Sequence, residues 1–549
     1  MNIIGLYGAF DWDANEKITT ADTPWVHDSG CTLFMDGKHI CSLNEERYTK
    51  EKYDGNFPFY SLDIVLKEGN ITRDDVDAVY IAPVHHFIAL KQIYSGEAEN
   101  LIKSYLPRAE INYIGHHLCH AASTVFTSPF NEGSFLTFDG GGSAIHDEFR
   151  ECIDYIENNS IGYFNKEKGI FKFHNMHENL YNSFGQLYQS ASRMIYEQKI
   201  GKSIVKNWGD VDASTGKVMG LSAYGSHTVD EKGYLVSDHT IPHITFAAFS
   251  DKSKYSLKNW NNIFTPEDAA FYLQETFENG MLNFIRSLRK RHLDDNLCLA
   301  GGCFLNVVTN TLIKKSGLFD NIHIPPFVND SGVHFGAAIW GCFDNNETIS
   351  VPDNLALLGP TYQSDEVLQY LKLYDLNYEE YTSQKVANLI SNGSIVAWFQ
   401  GRSEHGPRAL GSRSIFMSPT KAENKDIMNK RVKHREYWRP FAGIVLEEKV
   451  SDYFVEGFIS PYMLYTQTSK TDELPAINHV DNTCRIQTVN KNQNPKVYEL
   501  LTKLDPPVVL NTSFNDNGKP IIENPYQAVQ AFVAMDIDIL VIGDYIVHK

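Results

Sequence analysis

Residues 113–144 read YIGHHLCHAASTVFTSPFNEGSFLTFDGGGSA. YIGHHLCHAASTVF reads as a strand running into a helix, and SFLTFDGGGSA as a second strand that ends in a glycine turn. Strand, helix and strand in that succession are the α/β pattern. The pattern extends in both directions. Upstream, IIGLYG and TLFMDGKHICSL alternate like sheet, and Asp36-Gly37 suits a tight hairpin turn between two apolar runs. Downstream, Thr265-Pro266-Glu267-Asp268 offers an N-cap, a proline at the first helical position and acids in the first turn. That predicts a long amphipathic helix through FYLQETFENGMLNFIRSL. LCLAGGCFLN follows as a strand, and VNDSGVHFGAAIWG as a loop entering a helix.

At 549 residues the chain exceeds what one core holds, about 250 to 300 residues, so two domains are expected. The polar, proline-containing text around residues 343–362 marks the boundary. A second α/β unit after it holds SIVAWFQG, PPVVLNTS and LVIGDYIVHK, whose Gly543-Asp544 is again a hairpin signal. The division is drawn at residues 1–355 and 356–549. No low-complexity segment or short-period repeat is visible.

Hydrophobic residues make up 42% and charged residues 21%, which excludes a disordered or fibrous chain. The start MNIIGLYGAF lacks the basic and apolar regions of a signal peptide, and no apolar run reaches the about 20 residues that span a bilayer. No membrane is expected as a partner, and the chain reads as cytoplasmic. Its eight cysteines are scattered without a CxxC pair, against a disulfide framework and against a zinc ribbon. A net charge of −19 disfavours nucleic acid as a partner. One local exception runs from residue 401 to 440, where ten lysines and arginines face four acids. A charge run is ordinarily a solvated helix face, but GPRALG and WRPFAG inside this one are poor material for that.

His116, His117 and His120 fall within five residues. Residues four apart share a helix face, so His116 and His120 can aim at one ion. Histidines alone leave a cation under-coordinated, and aspartates beside glycines are the expected oxygen donors. Asp139 in FDGGGSA and Asp330 in VNDSGVHFG both fit, although each taken alone would read as a turn or cap residue. Two histidines and two carboxylates suit iron, manganese or zinc better than calcium. Gly140 to Gly142, Gly220 in KVMGLSAYG, and Gly301-Gly302 in LAGGCFLN could bring backbone N–H groups to nucleotide oxygens, the alternative for each being an ordinary turn.

The combination HHLCHAAS, FDGGGS, KVMGLSAYG, LAGGCFLN and NDSGVHFGAA is followed in order by GRSEHGPRALGSRSI, VKHREYWRPFA and LNTSFNDNGKPI. It resembles the NodU/CmcH O-carbamoyltransferase family over nearly the whole chain. The resemblance implies an amino-terminal domain of actin-like ATPase (ASKHA, Kae1-like) fold and a carboxy-terminal YrdC-like α/β domain. It implies further that the carboxy-terminal domain makes carbamoyl adenylate from carbamoyl phosphate and ATP. The amino-terminal domain would then pass the carbamoyl group to a hydroxyl of a small-molecule acceptor.

Carried over by motif, Arg408, Lys433, Arg439, Arg485 and Ser513 hold carbamoyl phosphate and the ATP phosphates, with Lys433 and Arg439 catalytic. Guanidinium forks and an ammonium point charge are what two clustered polyanions require. The resemblance makes His116, His120, Asp139 and Asp330 the metal ligands. Gly301, Gly302 and Asn306 become nucleotide contacts, beside Gly220 from the glycine reading. His27 of VHDSG is the implied general base, the alternative being a histidine that packs a strand turn. Ferrous iron is the first expectation for the ion, with manganese or zinc as alternatives, and magnesium accompanies ATP. The oligomeric state is left open, a homodimer included.

Two departures stand out. Ser143 occupies the place where the family commonly has glutamate, and residues 11–26 look longer than the usual entry into the His-Asp element, which is expected to shape the acceptor pocket. Because an adenylate is labile to water, a protected internal route between the domains is also expected. The rival readings are a tRNA threonylcarbamoyl-type transferase, which shares both folds, and a non-catalytic actin-like ATP-binding protein, which would need neither the histidine pair nor the cationic cluster. A metallopeptidase ranks last, since the glutamate of HExxH is absent.

Overall fold

The computed structural model describes residues 1–10, 27–82, 93, 95–142, 144–146, 153–179, 183–204, 208–226, 264–291 and 294–549. Residues 11–26 and Ser143, the two departures, lie outside them. The first sheet contains β1 (Asn2–Tyr7), β2 (Gly30–Met35), β3 (Lys38–Asn44), β4 (Ala78–Ala82) and β5 (Glu110–Tyr113) in the order β3-β2-β1-β4-β5. Its first three strands pair antiparallel and the rest parallel. The expected hairpin joins β2 to β3: Asp36 and Gly37 have φ of 48° and 74°, the left-handed pair that a tight primed turn requires.

The second sheet repeats the first. It holds β6 (Glu132–Phe138), β7 (Ala144–His146), β8 (Ile153–Asn165), β9 (Ile170–Asn179), β10 (Asn296–Ala300) and β11 (Asn321–His323). β8 carries β6 on one edge and β9 on the other, both antiparallel, while β6, β10 and β11 run parallel. The order β9-β8-β6-β10-β11 and its strand directions are those of β3-β2-β1-β4-β5. Such a duplicated α/β lobe is the actin-like ATPase architecture, and it sets equivalent elements side by side. Helices His116–Thr127 and Val333–Asp344, which follow β5 and β11, pack on each other between the sheets: a Cβ on Gly336 would lie 1.9 Å from the backbone oxygen of Cys119. Both helices are buried nearly all round; the second is almost wholly apolar, and the first buries His116, His117 and His120 among its small and apolar residues.

The third sheet belongs to the carboxy-terminal unit. It has nine strands: β12 (Asn377–Glu380), β13 (Val396–Phe399), β14 (Arg413–Met417), β15 (Ala442–Leu446), β16 (Thr466–Thr468), β17 (Thr483–Val489), β18 (Val508–Ser513), β19 (Ile539–Ile542) and β20 (Tyr545–His548). This unit is sealed onto the second lobe. Trp438, Leu464 and Tyr465 share a core with Phe304, Ile313 and Val328, and Thr311 Oγ accepts from the Thr466 amide at 2.8 Å. Among the described residues no helix is long and apolar enough to cross a membrane.

Most predicted elements fall where the sequence puts them. Thr265 caps helix Pro266–Arg289, its Oγ accepting from the Asp268 amide at 3.1 Å. KVMG differs: Gly220 sits inside helix Trp208–Leu221 and is not in a turn. The helix passes under Trp438 and Pro440 of the other unit, where a Cβ on Gly220 would sit in ordinary van der Waals contact with both.

Candidate active site

His116 and His120 lie in the first two turns of their helix, whose N-terminus is anchored by a carboxylate. Glu157 accepts from the His117 amide at 3.1 Å, and the His117 ring donates from Nδ1 to Ser160 Oγ at 2.9 Å. The third histidine therefore anchors the helix and is not part of the donor set. The donors are His116, His120, Asp139 and Asp330, whose ligand atoms all lie within 4.8 Å of one another. His120 Nε2 is 2.9 Å from Asp139 Oδ2 and 3.1 Å from His116 Nε2. Both imidazoles stand 3.5 Å from Asp330 Oδ1.

Bonds of about 2.1 Å to one ion place neighbouring donors about 3.0 to 3.4 Å apart, so the four atoms fit a single transition-metal ion. Their chemistry fits too. Burial opposes charge on His116, but Asp330 and Asp139 outweigh it and push the imidazole up to about 10. Burial and the Asp330 charge would raise Asp139, and the two histidines overcome them and hold it well below the usual carboxylate range. Two imidazoles and two carboxylates that share protons in this way are a set from which a cation displaces protons on binding.

The duplicated fold explains where these ligands come from. Asp139 follows β6, and Tyr7, at the end of the equivalent β1, donates its hydroxyl to Asp330 Oδ2 at 2.9 Å. Asp139 Oδ1 accepts from the Gly140 amide at 2.7 Å and the Gly302 amide at 3.3 Å. His27 Nδ1 is 3.0 Å from Asp28 Oδ2, which Asn329 also holds at 2.9 Å, and its Nε2 is 3.9 Å from Asp330 Oδ2. The half-buried His27 thus faces the donor set.

The glycine turns behave differently from the expected row of free amides. Gly140 and Gly302 serve Asp139, Gly142 donates to Glu157 O at 2.6 Å, and Gly301 to Val328 O at 2.8 Å. Asn306 caps helix Val307–Lys315 and exchanges hydrogen bonds with Gln274. Gly301 and Gly302 bring β10 onto the end of β6, and at Gly301 only glycine fits: φ is 98°, and a Cβ would lie 2.0 Å from Phe138 O. Gly301→Ala is expected to destabilise the protein by about 3 kcal/mol and to displace Asp139, seen together as a lower melting temperature and a lower bound-metal content.

Across from these groups the carboxy-terminal unit presents Arg408, Lys433, Arg435, Arg439 and Arg485. Arg408, Arg435 and Arg485 each keep an Nε without a hydrogen-bond partner among the described residues. Arg439 has Glu436 at 3.6 Å. Burial, and then the Arg408, Arg435 and Arg439 charges, push Arg485 well below its ordinary value. Cations that repel one another in a sheltered pocket are an anion site. Lys433 differs: its Nζ donates to Ser513 O at 3.0 Å, Asn515 O at 2.7 Å and Asn515 Oδ1 at 2.8 Å, so it also pins the NTSFN loop. Ser513 Oγ bonds Asn515 Oδ1 at 2.5 Å.

One cavity of about 1380 Å³ reaches both sets, from His27, Asp139 and Asp330 to Arg408, Arg439 and Ser513. Arg435, Asp28 and Asn515 lie inside VKHREYWRPFA, VHDSG and NTSFN but were given no role, and Tyr7 was not singled out. The signal for the first three was membership of a marked motif, and for Tyr7 its place at the end of a central strand.

A candidate metal-donor set and a cluster of buried cations that face one cavity in an α/β fold suit a group-transfer enzyme. Family models agree: Carbamoyltransferase N-terminus matches residues 86–339 and Carbamoyltransferase C-terminus residues 387–549. An uncharacterized protein of Synechocystis sp., sll1178, is 31% identical over 96% of this chain and 95% of its own. The nodulation protein NolNO of Sinorhizobium fredii is 27% identical over 100% of this chain and 83% of its own. Full-length HypF in a phosphate- and nucleotide-bound form aligns at TM-score 0.36 and 12% identity, over 63% of this chain and 55% of that one. This chain spans about half the length of the HypF chains it matches. The chain belongs to the carbamoyltransferase family and is a transferase.

Proposed function

We propose that the chain is an ATP-dependent O-carbamoyltransferase with two reaction centres, residues 1–355 for transfer and 356–549 for activation. The observation that carries this reading is the single cavity in which the metal-donor set and the arginine cluster meet. Carbamoyl phosphate and ATP are two polyanions, and bringing them together needs a concentrated positive field such as Arg408, Lys433, Arg439 and Arg485 create. In the activation step one water cleaves carbamoyl phosphate to carbamate and inorganic phosphate. A carbamate oxygen then attacks the α-phosphorus of ATP, and pyrophosphate leaves. The resulting anhydride stays within the cavity, sheltered from bulk water.

In the transfer step the acceptor hydroxyl attacks the carbamoyl carbon and the carbon–oxygen bond to AMP breaks. His27 takes the hydroxyl proton. With its Nδ1 donating to Asp28 Oδ2, Nε2 is left as the acceptor. An ion held by His116, His120, Asp139 and Asp330, ferrous iron or else manganese or zinc, would supply Lewis-acid stabilisation of oxygen charge. Magnesium would enter with ATP. Gly302 and Asn306 line the cavity beside this centre, with Gly301 directly behind Gly302 in the chain, and Gly220 lies across it, a wall suited to the nucleotide. The acceptor is a small molecule with a hydroxyl group.

The test is pyrophosphate release by the purified chain from ATP, with and without carbamoyl phosphate and with no acceptor. Release that depends on carbamoyl phosphate supports the activation step. Nucleotide binding without release would favour a non-catalytic ATP-binding protein instead.

A further inference from the structure

We propose that Arg47, in the amino-terminal unit, is a positioning residue for the anion pocket, because it grips the loop of the other unit that carries Arg408. Arg47 is 3% exposed, and among the described residues no carboxylate lies within salt-bridge distance of its guanidinium. One nitrogen, Nη2, donates to two carbonyls of that loop on either side of His405, Glu404 O at 3.2 Å and Gly406 O at 3.1 Å. Arg47 is itself fixed from the same side, its carbonyl accepting from Gln527 Nε2 at 3.0 Å. Glu46 and Glu523 feel its charge from beyond ion-pair distance, but a buried charge whose head no ion pair fixes is not explained by burial alone, since an apolar side chain would fill the space with less penalty. It is explained if the two carbonyls must stand at fixed positions.

Three further contacts show how finely the loop is held. The Glu404 carboxylate accepts the amides of Leu410 at 2.8 Å, Ser412 at 2.7 Å and Arg413 at 3.0 Å, closing the loop on itself around Arg408. His405 donates its amide to Ala356 O at 2.7 Å, and its ring lies 5.1 Å from that of Phe327. Gly406 has φ of 107°, and a Cβ there would come 2.7 Å from Pro326 O. The turn two residues before Arg408 is therefore wedged between Arg47 and the segment that leads to the metal ligand Asp330. Arg408 itself has no such support at its head, where Nε lacks a partner. Its aim into the cavity depends on the backbone that Arg47 holds, so the pocket is complete only when both units are docked.

The proposal rests on the reading of Arg408 as an anion contact, and the experiment separates the two. Binding of inorganic phosphate, and separately of ATP, is measured by calorimetry on the full-length chain and on Arg47→Met, Arg47→Lys, Arg408→Ala and the double variant Arg47→Met/Arg408→Ala. Metal uptake by each protein reports that it is folded. Arg47→Met is expected to weaken phosphate binding about 10- to 100-fold, and Arg47→Lys to restore part of it. The double variant is expected to bind no more weakly than Arg408→Ala alone, because a residue that acts through Arg408 has nothing left to position. Wild-type affinity in Arg47→Met, or additive losses in the double variant, would overturn the proposal. Wild-type affinity in Arg408→Ala would overturn the reading of the pocket, and the positioning role with it. Should Arg47→Met fail to take up metal, Arg47→Lys decides: weakened phosphate binding with normal metal uptake supports the role, and unchanged binding removes it.

Discussion

His120→Ala is expected to lower carbamoyl transfer about 100-fold or more while carbamoyl-phosphate-dependent pyrophosphate release continues at the wild-type rate. The side chain is one of the four candidate metal donors, and its Nε2 is also the nearest side-chain partner of Asp139, at 2.9 Å. Removing it leaves two carboxylates facing one imidazole in a buried site, with fewer donors for an ion and less neutralisation without one. The proposed activation step lies among cations of the other unit, and none of the described hydrogen bonds of His120 reaches them. Bound metal per chain should fall in parallel with transfer, measured on the same preparation. If pyrophosphate release fell as far as transfer did, the division of the two steps between the units would be wrong.

The histidine pair was legible because one helical turn is a local rule: His116 and His120 must share a face wherever the helix lies. Asp139 and Asp330 were legible for a weaker reason, as acids next to glycine at element ends. Nothing local says that the residue following β6 and the residue opening the last helix of the second lobe will meet. The duplicated strand order brings them together, and that repeat has no echo in the sequence, because two lobes with the same strand order share directions and positions and need not share residues. Tyr7 shows the limit. It stands at the end of β1, equivalent to the end of β6, yet reads from sequence only as one more apolar residue of a central strand.

The basic run between residues 401 and 440 was visible as a block, and the structure divides it by use. Arg402 and Arg413 are turned inward onto carbonyl oxygens of Gly359, Leu358, Gln400 and Gly401. Arg431 pairs with Asp536 and Asp538 at the surface. Arg408, Lys433, Arg435 and Arg439 enter the cavity. Charge counting cannot make this division, because it depends on which oxygens the sheet places within reach. What the glycine amides serve was not legible in the sequence for a related reason. A glycine lets two backbones approach, and whether its amide then serves a ligand or a neighbouring side chain is decided by what approaches; here Asp139 takes two of them.

Arg439→Ala is expected to lower carbamoyl-phosphate-dependent pyrophosphate release about 100- to 1,000-fold, with bound metal unchanged. Its head is half-buried, with a carboxylate no nearer than 3.6 Å among the described ion pairs. Its charge is therefore available to an arriving anion. Lys433→Ala would be a blunter probe, since it also frees the Ser513–Asn515 loop. The neighbouring lysine nevertheless gives the test its second readout. Burial, and then Arg435 and Arg439, push Lys433 well below an ordinary lysine. A bound phosphate reverses the sign of the local field and raises it again. Between those two values binding must take up a proton, so phosphate affinity falls as pH rises through that window. Calorimetry in two buffers of different ionisation enthalpy measures the uptake directly. In Arg439→Ala one opposing charge is gone, Lys433 starts from a higher value, and less proton is taken up for each phosphate that still binds. Uptake that is the same in both proteins would mean that Arg439 and Lys433 do not share one electrostatic pocket, and that the anion is held elsewhere.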